Sequence, residues 1–156
     1  EIKKYIYGSA EVVGLMCLKI FYKNREDEFN ELVHPARKLG EAFQKVNFLR
    51  DIRADYIDKQ RIYFPGVEFE NFTEKQKKNI EDDIENDFEE ARSGIIKLHK
   101  DVRLGVYLAY RYYLELLKKI RETSPEEILQ KRYRVADSTK VRLLAQSWMG
   151  CRFGKF

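Results

Sequence analysis

An all-α fold is what this sequence predicts, and three observations carry the prediction. Only 8 Gly and 3 Pro occur in 156 residues, too few for a turn-rich β protein. Apolar residues recur at three- and four-residue spacing over long stretches, the period of an amphipathic helix. Two capping boxes, Thr73 with Gln76 and Ser124 with Glu127, mark helix starts.

The first helix covers about residues 3–22 and contains Gly8 and Gly14. An interior glycine costs about 1 kcal/mol relative to alanine, so close packing against a neighbouring helix is the ordinary reason to find two. A second helix covers about residues 35–58 and starts at Pro35, in the favoured first-turn position. Its apolar side carries Leu39, Ala42, Val46 and Leu49. A loop follows around Pro65-Gly66. From the Thr73 cap a helix runs to about residue 98, with Ile80, Ile84, Phe88, Ala91, Ile95 and Leu98 as its stripe. The next spans about residues 101–122, with Val106, Tyr110, Tyr113, Leu117 and Ile120 on one face, and a last helix covers about 138–149. No repeat, low-complexity segment or linker interrupts the chain. Its length suffices for one core and not for two comfortable domains, so 1–156 reads as a single helical domain.

Several functions are argued against by composition. A net charge of +4 suits anionic ligands or an anionic membrane surface but is too weak to indicate nucleic acid. No basic patch is interleaved with aromatics as single-strand binding requires. The apolar run from Val12 to Leu18 is far short of the roughly 20 residues that span a bilayer, so any membrane contact is peripheral. Cys17 and Cys151 are distant and unpatterned, which fits a reducing cytoplasm, and no signal peptide is evident. His34 and His99 lack metal-ligand spacing and read as structural. Most of the 10 Tyr and 10 Phe, including Tyr107, Tyr110, Tyr112 and Tyr113 on one helix, read as packing.

The stretch from Gln44 to Pro65 is different. Asp51 and Asp55 stand one turn apart, about 5–6 Å at Cβ, where like charges repel. The common explanation is a solvated acidic face. Here Gln44, Asn47, Asp51 and Asp55 share one sector of the helix opposite the apolar side, yet Phe48 and Ile52 lie beside the acids. Asn47 and Arg50 add an amide and a fixed cation within one turn, as a phosphate site needs. A divalent cation turns such repulsion into binding, and magnesium takes one or two carboxylates and completes its shell with waters and phosphates. The motif therefore points to diphosphate chemistry. Asp83 and Asp87 repeat the spacing among further acids, with no Asn or Arg beforehand, and read as solvated face.

These segments resemble a known family. The run Leu39-Gly40-Glu41-Ala42-Phe43-Gln44-Lys45-Val46-Asn47-Phe48-Leu49-Arg50-Asp51, with Asp55 and then Arg61-Ile62-Tyr63-Phe64-Pro65, is similar to the second aspartate-rich motif of squalene and phytoene synthases. Tyr5-Ile6-Tyr7-Gly8-Ser9-Ala10-Glu11-Val12-Val13-Gly14 resembles the family's Tyr-x-Tyr signature, except that Glu11 stands where many members have Gly. A charged residue there must turn outward or find a partner. Leu108-Ala109-Tyr110-Arg111-Tyr112-Tyr113 resembles the late helix, and residues 132–140 the basic segment after it. The resemblance implies an isoprenoid-synthase-type helical bundle. It implies the C-terminal portion only, because the first aspartate-rich motif is absent from these residues.

The same resemblance implies the chemistry. Asp51, Asp55 and Asn47 would hold Mg²⁺, with Mn²⁺ able to replace it, and Tyr5, Asp51 and Asp55 would be the catalytic residues. Gln44, Asn47, Arg50, Arg61, Tyr113 and Lys140 would bind a prenyl diphosphate, and Gly8 and Gly14 would leave room for its tail. The implied reaction is the head-to-head condensation of two geranylgeranyl diphosphates to phytoene through a cyclopropyl diphosphate. The wording around Val12 to Met16 and Arg61 to Pro65 is most similar to the bacterial carotenoid branch. Squalene or dehydrosqualene synthesis from farnesyl diphosphate is the alternative, with NADPH needed only in the squalene branch. A catalytically incomplete helical module is a further reading. A missing N-terminal half, or self-association, would complete the fold, in a cytoplasmic setting with peripheral membrane contact.

Overall fold

The computed structural model describes residues 2–154, which contain helices and no strand. α1 (Ile2–Ile6) passes into a π-helical segment, Tyr7–Glu11, and continues as α2 (Val12–Phe21). The anticipated first helix is thus one rod whose hydrogen-bonding pattern widens in the middle. Within the widened part Glu11 is buried, and its Oε2 accepts a hydrogen bond from Arg37 Nε at 2.6 Å. The Arg37 guanidinium also lies over the Tyr7 ring, 5.5 Å from its centre. The charged residue that departs from the Ala-Gly pattern therefore has its partner.

α3 (Glu26–Lys59) has 34 residues, about 51 Å of helix, and α2, α4 and α5 all pack along it. Contrary to the sequence expectation, Pro35 does not open this helix but sits inside it. The start is earlier because Glu26, Asp27 and Glu28 fill the first turn, where negative charge complements the helix dipole. An interior proline forfeits a backbone hydrogen bond and costs about 3 kcal/mol. Its ring is packed in return. A Cβ at Gly94 would fall 2.4 Å from Pro35 Cβ, so the absence of a side chain at 94 makes the ring's place.

Two further glycines set the spacing between α2 and α3. A Cβ on Gly14 would lie 2.8 Å from the Ala36 carbonyl oxygen, and one on Gly40 would lie 2.6 Å from that of Ala10. The two helices therefore meet backbone to backbone, and close packing accounts for Gly14. Nothing lies within 4 Å of a Cβ at Gly8.

α4 (Glu74–Lys97) begins at the anticipated capping box: Gln76 N–H donates to Thr73 Oγ1 at 3.3 Å and Thr73 N–H to Gln76 Oε1 at 3.0 Å. α5 (Lys100–Arg121) follows, tied to the end of α2 where His99 N–H donates to the Tyr22 hydroxyl at 2.9 Å. Ser124 caps a single turn, α6 (Pro125–Ile128), and α7 (Asp137–Phe153) ends at Gly154 with φ 65°. Ala42, Val46 and Leu49 of α3, Ile84 and Phe88 of α4, and Leu116, Leu117 and Ile120 of α5 form one core. These are the faces that periodicity marks as apolar.

Asp87 corrects the reading of the second acidic pair. It is only 2% exposed, not solvated, and bridges two lysines of α3. Lys38 Nζ lies 2.7 Å from its Oδ1 and Lys45 Nζ 2.6 Å from its Oδ2. Lys45 also reaches Asp83 at 2.6 Å and Glu41 at 2.8 Å. Burial alone would lower the Lys45 ammonium, but the hydrogen bonds it donates to Asp83, Asp87 and Glu41 outweigh it and hold the group protonated well above its ordinary range. Asp83, by contrast, has an exposed side chain, as read.

The glycine contacts yield a paired prediction. Gly40→Ala must push a methyl into the Ala10 carbonyl and is expected to destabilise by about 1–3 kcal/mol, as overpacking does. Gly8→Ala meets open space and is expected to gain up to about 1 kcal/mol from helix propensity. Thermal unfolding followed by circular dichroism separates them; equal melting shifts would contradict the backbone contact.

Candidate active site

The Asp-x-x-x-Asp helix is α3, and Asp51 is engaged by two arginines. Arg50 donates to it through Nε at 3.0 Å and Nη2 at 2.5 Å. From the segment after α6, Arg132 donates through Nε at 2.6 Å and Nη2 at 3.3 Å. Two guanidinium forks thus converge on one carboxylate, the bidentate geometry that makes arginine suited to carboxylate and phosphate. Burial pushes the Asp51 carboxyl up, but the hydrogen bonds and charge of Arg50, then of Arg132, prevail and hold it below the usual carboxylate range.

One turn on, Asp55 is 9% exposed, and its carbonyl accepts from Arg61 N–H at 3.1 Å. Phe48 and Ile52 are both buried beside the pair, so the acids do not stand on a freely solvated face. Among the described residues no group of three or more His, Cys, Asp and Glu side chains is placed to hold a metal. The side chains that would offer oxygens to a cation here are Asp51, Asp55 and Asn47, Asp51 on release from its two arginines and Asn47 from the Tyr113 hydroxyl. That all-oxygen set, short of a full shell, is the kind magnesium accepts when waters and phosphates supply the rest.

Aromatic side chains frame this face. The Tyr5 ring lies 5.4 Å from Tyr63 and 5.9 Å from Phe48, and Phe48 stacks on Tyr63 at 4.0 Å. The Tyr-x-Tyr segment and the Arg-x-Tyr-Phe-Pro segment, some sixty residues apart, thereby meet. From α5, Tyr113 stacks on Phe43 at 4.0 Å and directs its hydroxyl to Asn47 Oδ1 at 3.4 Å.

Phe43 also forms part of the wall of a cavity of about 660 Å³ between α2, α3, α4 and α5, within the roughly 300–1,000 Å³ of small-molecule sites. Its lining is almost wholly apolar and includes small residues, Ala10, Gly14 and Gly40 from the tight α2–α3 contact and Gly105 and Ala109 from α5. Gly14 therefore serves close packing and opens space together.

The remaining anticipated residues fall as follows. Gln44 is partly buried one turn before Asn47 on α3, while Arg61 is exposed just past the left-handed Gln60 that ends the helix. Lys140 is exposed and pairs with Asp137 at 2.8 Å; of the basic segment, Arg132 is the member that reaches the acidic face. The segment was visible in the sequence as a run of cations. Which cation turns inward depends on the path from α6 to α7.

One helix, α3, thus carries both the Asp-x-x-x-Asp pair and, through Leu39, Gly40 and Phe43, part of the wall of an apolar cavity, in an all-helical fold consistent with the isoprenoid-synthase type. Within that class the chain belongs to the squalene/phytoene synthase family, whose model matches residues 1–139. It is 29% identical over 172 aligned positions to the 15-cis-phytoene synthase of Synechocystis, covering 96% of this chain and 50% of that protein. With the phytoene synthase of Arthrospira platensis it shares 26% over 157 positions, covering 85% and 50%. With the 4,4'-diapophytoene synthase of Staphylococcus haemolyticus it shares 37% over 83 positions, covering 53% and 26%. The chain thus spans about half the length, or less, of these relatives.

The arginine clamp predicts a titration. A carboxyl depressed in the folded state contributes stability that is complete above its ordinary value of 3.8 and fades as pH falls through the lowered one. Arg132→Ala is expected to raise the Asp51 midpoint toward 3.8 in a carboxyl-resolved NMR titration. An unchanged midpoint would mean that Arg132 does not hold this carboxylate in solution.

Proposed function

We propose that this chain carries the second aspartate-rich half of a prenyltransferase site that joins two geranylgeranyl diphosphates head to head, giving phytoene through a cyclopropyl diphosphate. The observation that carries the reading is the convergence of Arg50 and Arg132 on Asp51, on the same helix whose Leu39, Gly40 and Phe43 line an apolar cavity. Without ligand, the two guanidiniums are held in place by a carboxylate; a diphosphate offers them the same fork-shaped acceptor with more charge. Arg61 and Lys140 add exposed cations for the same group, and Gln44 orients the polar face.

Magnesium, or manganese in its place, held through oxygens of Asp51, Asp55 and Asn47, would supply Lewis-acid relief of the charge on the departing diphosphate. Tyr113 steadies the Asn47 amide through its hydroxyl. The prenyl tail lies in the apolar cavity, whose walls keep water from an allylic cation. Tyr5, tilted against the stacked pair of Tyr63 and Phe48, presents an aromatic face that favours positive charge by cation–π attraction.

A farnesyl diphosphate substrate, leading to squalene or dehydrosqualene, is the second reading. What favours it is the 37% identity to a synthase named for diapophytoene rather than phytoene. The partner in either case is a complementary helical half or a second copy. Val13, Met16 and Ile20 form an exposed apolar stripe on α2 beside the cavity, of the kind a neighbouring helix covers.

The test is binding, then turnover. The chain is titrated with a non-reactive geranylgeranyl thiodiphosphate in the presence of Mg²⁺, and then assayed for phytoene, alone and with the other half of a relative supplied in trans. Asp51→Asn and Asp55→Asn are each expected to lower product by about 100-fold or more. Failure of the analogue to bind, with or without the other half, would leave a helical module without this chemistry.

A further inference from the structure

Tyr5 has a backbone fixed by its own helix and a ring that is not. Its carbonyl accepts a hydrogen bond from Ser9 Oγ at 2.7 Å within the rod of α1 and α2, yet the residue is 46% exposed. The ring meets Tyr63 at 5.4 Å with 31° between the planes, and Phe48 at 5.9 Å with 37°. Both separations lie in the range over which aromatic rings attract. Neither partner belongs to the rod, so the plane of the Tyr5 ring is set from outside it.

Phe48 is buried on α3, one turn before Asp51, and Tyr63 lies flat against it, 4.0 Å away and 6° from parallel. Phe64 meets the Phe48 ring edge-on at 6.3 Å. The short segment that carries Tyr63 is pinned on both sides. Before it, Arg61 N–H donates to the Asp55 carbonyl at 3.1 Å. After it, Gln76 Nε2, from the capping box of α4, donates to the Gly66 carbonyl at 2.8 Å. The turn that follows Asp55 therefore also sets the ring that flanks Tyr5.

A cation gains from an aromatic ring only over its face and within about 6 Å of its centre, so the tilt of Tyr5 decides whether the attraction is realised. Resting on the prenyltransferase reading above, we propose that Tyr63 is a positioning residue for Tyr5. It touches neither metal nor diphosphate. It fixes the plane of the Tyr5 ring relative to the acidic helix, so that the aromatic face is oriented before the allylic cation forms. Its contribution belongs to the chemical step and not to substrate capture.

Two measurements test this. In the first, the full chain is labelled with 3-fluorotyrosine, and the Tyr5 fluorine signal is assigned by its loss in Tyr5→Phe. Tyr63→Leu, at a half-buried position, is expected to shift that signal, while Tyr63→Phe, which keeps the ring, leaves it in place. An unmoved Tyr5 signal in Tyr63→Leu would overturn the proposal. In the second, turnover is measured with the other half of a relative supplied in trans. Tyr63→Leu is expected to lower kcat by roughly 3- to 30-fold, the span of a cation–π contribution, with KM unchanged. Tyr63→Phe restores kcat, and Tyr63→Leu adds little to the loss in Tyr5→Leu, as residues acting through one another require. A raised KM at unchanged kcat would make Tyr63 a substrate contact and overturn its positioning role, and so would fully additive losses. A wild-type chain that makes no product with the other half removes the prenyltransferase reading and this role together. A Tyr5 signal indifferent to Tyr63 removes the role alone.

Discussion

The backbone contact between α2 and α3 is the constraint on which the site depends. With Gly14 under the Ala36 carbonyl and Gly40 under that of Ala10, the two helices approach as closely as main chains allow. The approach carries Tyr5 to the ring cluster of Phe48 and Tyr63, and it lines one side of the cavity with residues too small to fill it. A pair of larger residues at these positions would move the aromatic wall away from the acidic helix and replace space with side chain. Packing and vacancy here have one cause, the smallness of the contacting residues.

Where interactions are local, the fold was legible. The Thr73 and Ser124 caps need only residues three apart, and the apolar stripes of α4 and α5 need only the helical repeat; the Thr73 box and the stripes appear as read, and at Ser124 the hydroxyl accepts from Glu127 N–H, one arm of the anticipated box. The burial of Phe48 and Ile52 beside Asp51 was visible for the same reason. What escaped was set by partners distant in sequence. Pro35 looks like a helix start until Gly94, 59 residues later, accommodates its ring. Asp87 looks solvated until Lys38 and Lys45 of another helix enclose it, and Arg132 is one cation among several until the turn after α6 aims it at Asp51.

Electrostatically, the acidic face is a paired system and not a bare cluster of negative charge. Arg50 and Arg132 offset Asp51, so repulsion between Asp51 and Asp55 is relieved without any ion. The internal carboxylate holds both guanidiniums in a fixed, fork-shaped arrangement. That preorganisation is the property that makes a charged site selective for shape as well as for sign.

The lysine–carboxylate lattice between α3 and α4 has a consequence for how the chain finds its register. Lys38 meets Asp87 and Lys45 meets Asp87 and Asp83, so steps forward along α3 match steps backward along α4, as an antiparallel pair demands. Sliding one helix by a turn would leave a buried ammonium or the buried Asp87 without its counterion, a state far costlier than loss of a surface pair. Leucines and isoleucines would tolerate such a slip. The ions forbid it, and so the angular position of the Asp-x-x-x-Asp face is set by charges on the opposite flank of the same helix.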